Sequence, residues 1–248
     1  MSSHSVSSTT QEHFSWLASS WAELYEQRGS FRSRLFEIDR VLRGVLQDGD
    51  IVVDFGSGAG VFSALVSQCA ASVISVDGNA EMLKVSANSE DLLARVVEQA
   101  GARYRPERVS RVVGTRECLA TSPQADLVLA IAVLEYVPDV TTHLESFASI
   151  LRPGGYLVLT YPNPKSVLRR VEGPVDRVAA AVGHIARVQR LRSREYSGLR
   201  PAREADMGPL LTRAGLDVQL RREVPLGAGA LRKRIAPNYV WVARRPEG

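Results

Sequence analysis

Ile51-Val-Val-Asp-Phe-Gly-Ser-Gly-Ala-Gly60 is the stretch whose reading decides the fold. Its first half is a short apolar run with one acid set into it, which predicts a strand. Three glycines at alternate positions then predict a tight turn, and Val61 onward can open a helix. Strand, glycine turn and helix in that order bring backbone N–H groups and a helix N-terminus onto a polar ligand.

The spacing separates two kinds of ligand. In the dinucleotide fingerprint, Gly-x-Gly-x-x-Gly, the third glycine comes one place later, and here position 61 is Val. With Asp54 two residues ahead of Gly56, the run Asp54, Gly56, Ser57, Gly58, Gly60 resembles motif I of the class I S-adenosylmethionine-dependent methyltransferases. In that family the loop passes under the amino-acid end of the cofactor, so the resemblance implies S-adenosyl-L-methionine as ligand.

The next strand, Ser72 to Val76, ends at Asp77-Gly78. A carboxylate at a strand end can accept hydrogen bonds from both hydroxyls of a ribose, which suits NAD as well as adenosylmethionine. The resemblance further implies that Met82 packs on adenine. Family members often carry Asp where this chain has Thr115, and Arg116 is a neighbour able to take over that contact. Ile131, at the end of the fourth strand, is placed with the cofactor residues.

Gly114-Thr-Arg-Glu-Cys-Leu119, the apolar run Ala125 to Leu134 with Glu135-Tyr136 after it, and Leu151-Arg-Pro-Gly-Gly-Tyr-Leu157 look like the third, fourth and fifth strand units of the same family. The likeness spans roughly residues 45 to 165 and returns at 203 to 244. It implies a doubly wound, Rossmann-like α/β fold: a seven-stranded sheet, mostly parallel, with its last strand antiparallel. Strands are expected at about 51–55, 72–76, 109–113, 126–131 and 156–161. Helices are expected over Val61 to Ala71, Ala80 to Glu98 and Thr141 to Leu151. Arg203 to Ala214 predicts a helix stopped by Gly215, followed by strands over Leu216 to Val224 and Tyr239 to Arg244.

Ahead of the first strand, Gln11 to Gln27 and Phe31 to Leu46 predict two helices, the second with Leu35, Ile38, Leu42 and Val45 on one stripe. They are expected to cap the cofactor side of the sheet (residues 11–46). Residues 1–10, mostly Ser and Thr, are expected to be disordered. Residues 11–248 are expected to form a single domain, with 163–201 as a helical lid inserted after strand five. That insertion carries much of the basic charge, and the turn Tyr161-Pro-Asn-Pro164 leads into it.

Composition narrows the function classes. Of 31 basic residues, 28 are Arg. So strong a skew, with abundant Ala, Val and Gly, is what a GC-rich genome produces whatever the function, and it weakens a nucleic-acid reading of the net charge of +4. The longest apolar run is too short to span a bilayer. Two cysteines without metal-ligand spacing predict reduced thiols and no metal. The expected setting is the cytoplasm, as a monomer or homodimer.

The acceptor side is where the chain departs from the family. Small-molecule members often read Leu-Glu-His-Val at the mouth of the fourth strand, and this chain has Tyr136 for that His. A phenol is a far weaker base near neutrality than an imidazole, so Tyr136 is assigned to the acceptor site as an orienting group. Trp21, Tyr25 and Tyr161 are the other candidate acceptor contacts. The function expected is methyl transfer to an O or N atom of a small-molecule metabolite, plausible in secondary metabolism. The alternatives are a nucleic-acid or protein methyltransferase using the Arg-rich insertion, and a non-catalytic protein that binds S-adenosylmethionine.

Overall fold

A computed structural model describes residues 15, 18, 21–27, 29–163, 166, 204–225, 236 and 238–247. The tail expected over 1–10, much of the helix expected over 11–27 and nearly all of the insertion expected over 163–201 lie outside them.

Among the described residues, seven strands form one sheet: β1 (Ile51–Phe55), β2 (Ser72–Asp77), β3 (Val109–Val113), β4 (Ala125–Ala130), β5 (Leu151–Pro162), β6 (Asp217–Val224) and β7 (Asn238–Arg244). Their order is β3-β2-β1-β4-β5-β7-β6. The first five run parallel, while β7 is antiparallel to both β5 and β6. From β1 the chain winds outward through β2 and β3, then restarts at β4 on the other side. This reversal opens a crevice at the carboxyl ends of β1 and β4, where open α/β sheets bind ligands.

Alternation along each strand feeds both faces. Val52, Leu127, Leu129, Val158 and Val240 join one hydrophobic cluster with α1 (Glu23–Gln27), α2 (Gly29–Leu42), α3 (Val61–Val66) and α5 (Glu90–Glu98). Val53, Phe55, Val128, Leu157 and Trp241 join the other, under α6 (Val140–Ile150) and α7 (Glu204–Arg213). The N-terminal helices therefore pack on the first face, beside the glycine turn.

Two expected helices are corrected. Ala80 to Glu98 is broken into α4 (Ala80–Asn88) and α5, because Ser89 leaves the helical region at φ −117°, ψ 33°. The helix expected over Val61 to Ala71 stops at Val66, and its trailing turn is closed by Arg108, whose Nη1 donates to the carbonyls of Ser67, Gln68 and Ala70. In the other direction, β5 starts five residues early. A Cβ on Gly155 would lie 3.0 Å from the carbonyl oxygens of Arg152 and Asp126, so only glycine lets the Pro-Gly-Gly turn run into the strand.

Candidate functional site

The glycine turn sits on the carboxyl end of β1. Gly56 and Ser57 donate their amides to the carbonyl of Val76 at 2.8 and 3.0 Å, tying the turn to β2. Gly58 donates to Asp77 Oδ2 at 2.8 Å, and Gly60 donates to the Ser57 carbonyl at 3.0 Å. The Ser57 hydroxyl lies 2.8 Å from Ser75 Oγ, beneath the loop. Of the five amides from Gly56 to Gly60, four are thus spent inside the protein. Phosphate-binding loops need such amides turned toward the ligand, so this loop is built for something other than a pyrophosphate.

Its charges agree. Asp54, 1% exposed, accepts a 2.6 Å hydrogen bond from Ser63 Oγ. Burial pushes its carboxyl up to about 7, against the pull of the Ser63 hydroxyl, and the Asp77 charge adds to the rise. Asp77 is raised as well, first by burial, although the amides of Asn79 and Gly58 oppose the shift. Two acids flanking one loop, each with its charged form disfavoured by burial, disfavour an anion and favour a cation, which would stabilise their ionised forms.

Asp54 gives a measurable consequence. In the free protein the folded state holds this proton at pH values where the unfolded chain has lost it, so stability falls as pH rises from about 4 through 7. At 1.36 kcal/mol per pKa unit, the expected loss from pH 5 to pH 8 is roughly 2–3 kcal/mol. Chemical denaturation of wild type and Asp54→Asn at the two pH values should show a loss steeper by that amount in wild type; equal slopes would remove the assignment.

The remaining candidates divide. Trp21 comes to the loop: its indole Nε1 is 3.9 Å from where a Cβ on Gly58 would stand, with the ring edge-on to Phe31 at 5.7 Å. Gly78 lies beside Thr115, whose methyl would be 3.7 Å from a Cβ there, so the turns after β2 and β3 share one wall. Met82 is buried in α4, whose first turn is capped by the Asn79 side chain, and Ile131 is buried just past β4. Thr115 hydrogen-bonds the Glu117 carboxylate, while Arg116 reaches that carboxylate and, at 3.5 Å, Ser146 on α6. Tyr136 lies at the mouth of β4 on a short turn closed by its amide to the Val133 carbonyl at 2.9 Å.

Two expected acceptor contacts are buried. Tyr25 is 3% exposed and its ring sits edge-on to Phe31 and Phe62 at 5.0 and 5.9 Å. Tyr161 is 1% exposed within the second cluster. Both positions pack as core because the stripe of α1 and the alternation of β5 point them inward. His143 packs against Phe55 and Phe147. It belongs to α6, its ring lies 5.8 Å from Phe55, and its Nδ1 is 2.7 Å from the Asp139 carbonyl, so that nitrogen carries the proton. Burial, with Arg116 adding to it, holds the imidazole below its usual range.

Arg34 was not singled out from sequence. Its guanidinium lies over the Phe31 ring at 5.3 Å, and both it and the Asp54 carboxyl act on the buried Tyr25 hydroxyl. This places one cation among the aromatic side chains that pack beside the glycine loop. Nothing local marks it, since it is one Arg among 28.

Residues 21–220 match the family described as a methyltransferase domain. The ubiquinone biosynthesis O-methyltransferase of Ralstonia nicotianae is 28% identical over 249 aligned positions, covering 95% of this chain and 94% of that protein. The trans-aconitate 2-methyltransferase of Azoarcus sp. is 30% identical over 151, or 58% and 53% of the two chains. In fold the chain is similar to N-methyltransferase NodS of Bradyrhizobium japonicum WM9 bound to S-adenosyl-L-homocysteine, with TM-score 0.64, 16% identity, and 96% and 98% covered. It is also similar to magnesium protoporphyrin IX methyltransferase of Synechocystis PCC 6803 bound to S-adenosylmethionine, with TM-score 0.61, 14% identity, and 98% and 100% covered.

Proposed function

We propose, from the premise that this chain belongs to the class I S-adenosylmethionine-dependent methyltransferases, that it methylates an oxygen or nitrogen atom of a small-molecule metabolite in a biosynthetic route. The observation that carries the donor is the loop itself: its amides are consumed within the protein and two carboxylates flank it, which suits a cationic ligand. That the Ralstonia relative is named an O-methyltransferase of ubiquinone biosynthesis favours an oxygen acceptor of small size.

S-Adenosylmethionine, when bound, supplies a methyl group on a cationic sulfur that departs neutral. The protein's task is then to hold donor and acceptor in line with water excluded, and positioning of this kind is worth roughly 7–11 kcal/mol of barrier. Asp77 would take the ribose hydroxyls, Arg34 the methionine carboxylate, and Asp54 would sit under the amino-acid end. Thr115, Met82 and Ile131 would wall the adenine. Tyr136 would orient the acceptor.

Calorimetry with adenosylmethionine, adenosylhomocysteine and NAD tests the donor, and transfer of a labelled methyl group to a panel of phenols, carboxylic acids and amines tests the acceptor. Binding of NAD alone would overturn the reading. Arg34→Ala is expected to weaken adenosylhomocysteine about 10–100-fold, the range for a hydrogen-bonded charge, and to spare methylthioadenosine, which lacks the amino-acid end. An equal loss for both ligands would take Arg34 out of the role.

A further inference from the structure

Beyond the cofactor loop, the chain is under strain at one place. Ala132, at the exit of β4, has φ 56°, the single non-glycine residue in the left-handed region among those described. An L-residue adopts that region only where its surroundings hold it there. What holds it is visible: the Ala132 amide donates to Thr160 Oγ1 at 2.7 Å. Thr160 lies on the neighbouring strand β5, is 1% exposed, and follows Leu159, the last residue paired in the β4–β5 ladder. The hydroxyl takes an amide that the ladder no longer serves, so the chain can leave the sheet without an orphaned donor.

The strained residue matters because of what comes next. Val133 packs hard on Gly56: a Cβ there would stand 2.3 Å from Val133 Cγ2 and 2.7 Å from its Cβ. Directly after Val133, the short helical turn Leu134–Tyr136 is anchored by buried Leu134 and carries half-buried Glu135 and Tyr136. One turn thus presses on the first glycine of the donor loop from one side and aims the acceptor mouth from the other.

We propose that Thr160 is a positioning residue for methyl transfer: its hydroxyl clamps the left-handed turn at Ala132, and through Val133 that clamp seats the glycine loop on the cofactor. The proposal rests on the cofactor reading above, although the clamp can be tested without it. In Thr160→Val the amide loses its acceptor at constant side-chain size. Adenosylhomocysteine is then expected to bind about tenfold more weakly, in line with one buried unsatisfied donor. Thr160→Ser, which keeps the hydroxyl, should stay within about twofold of wild type. A packing role for Thr160 predicts the reverse order, since valine keeps the side-chain size and serine does not.

Amide hydrogen exchange supplies the independent arm. In wild type and Thr160→Ser the Ala132 amide should be protected, and in Thr160→Val it should exchange freely. A wild-type Ala132 amide that exchanges as in an unstructured peptide overturns the clamp even if Thr160→Val fails to fold. So does Thr160→Val binding adenosylhomocysteine as wild type does. If wild type binds no adenosylhomocysteine while Ala132 is protected, the cofactor reading falls and the clamp stands.

Discussion

Asp77→Ala is expected to bind adenosylhomocysteine at least 100-fold more weakly than wild type. The carboxylate has two functions that the substitution removes together. Each hydrogen bond to a charged group contributes about 1.5–3 kcal/mol, and a ribose offers two hydroxyls to one carboxylate, so a loss of about 3 kcal/mol or more follows from that contact alone. The same side chain also ties the loop to α4. Oδ2 accepts from Gly58 and Oδ1 from Asn79, each at 2.8 Å. Without these bonds the Gly58 amide turns loose at the place where the loop must meet the ligand. Asp77→Asn separates the two functions, because an amide can accept at one oxygen only, and it should fall between wild type and Asp77→Ala. Titration calorimetry of the three proteins decides the matter. Affinity for adenosylhomocysteine within about threefold of wild type in Asp77→Ala would end the assignment of this carboxylate to the ribose.

How much of this was legible in the sequence depends on the range of the interaction. Asp54, the three glycines and Asp77 were legible because strand, turn and strand end are local: each needs only its neighbours to say where it must sit. The Pro-Gly-Gly turn into β5 was legible for the same reason, although its early pairing with β4 was not. Arg34 could not be found locally. It lies over Phe31 next to Tyr25, a product of how two helices pack, in a chain where Arg is everywhere. Tyr25 and Tyr161 show the same limit in their burial. Each is an amphipathic side chain near the expected mouth, and helical register and strand parity, which periodicity gives only coarsely, turned both into the core. Thr160 was hidden most deeply, because a hydroxyl in an apolar strand has no motif; its meaning comes from Ala132, 28 positions away.

The glycine loop allows a sharper test, since two of its glycines are required for different reasons and alanine should separate them. Gly56 has φ 68° and its missing Cβ would overlap Val133. Gly56→Ala therefore combines a left-handed alanine, about 1–2 kcal/mol, with overpacking of about 1–3 kcal/mol against a backbone-near atom that cannot swing away. Its melting temperature should drop by roughly 5–15 °C for a chain of this size. Gly58 has φ 55°, yet a Cβ there meets only Trp21 Nε1 at 3.9 Å. Gly58→Ala should cost only the backbone strain, about 1–2 kcal/mol and a few degrees. Its methyl group, however, would project toward Trp21, which on the proposed reading is the side from which the ligand approaches. Adenosylhomocysteine affinity should then fall about 30-fold or more, the loss expected when close backbone approach is blocked by overpacking of about 2 kcal/mol. The pair thus predicts a crossing: the variant with the larger stability loss is set by Val133, and the variant that folds nearly as well as wild type is the one that loses its ligand out of proportion. Scanning calorimetry with and without adenosylhomocysteine measures both quantities on each protein. If Gly58→Ala keeps full affinity while losing stability as Gly56→Ala does, the open side of the loop does not face the cofactor.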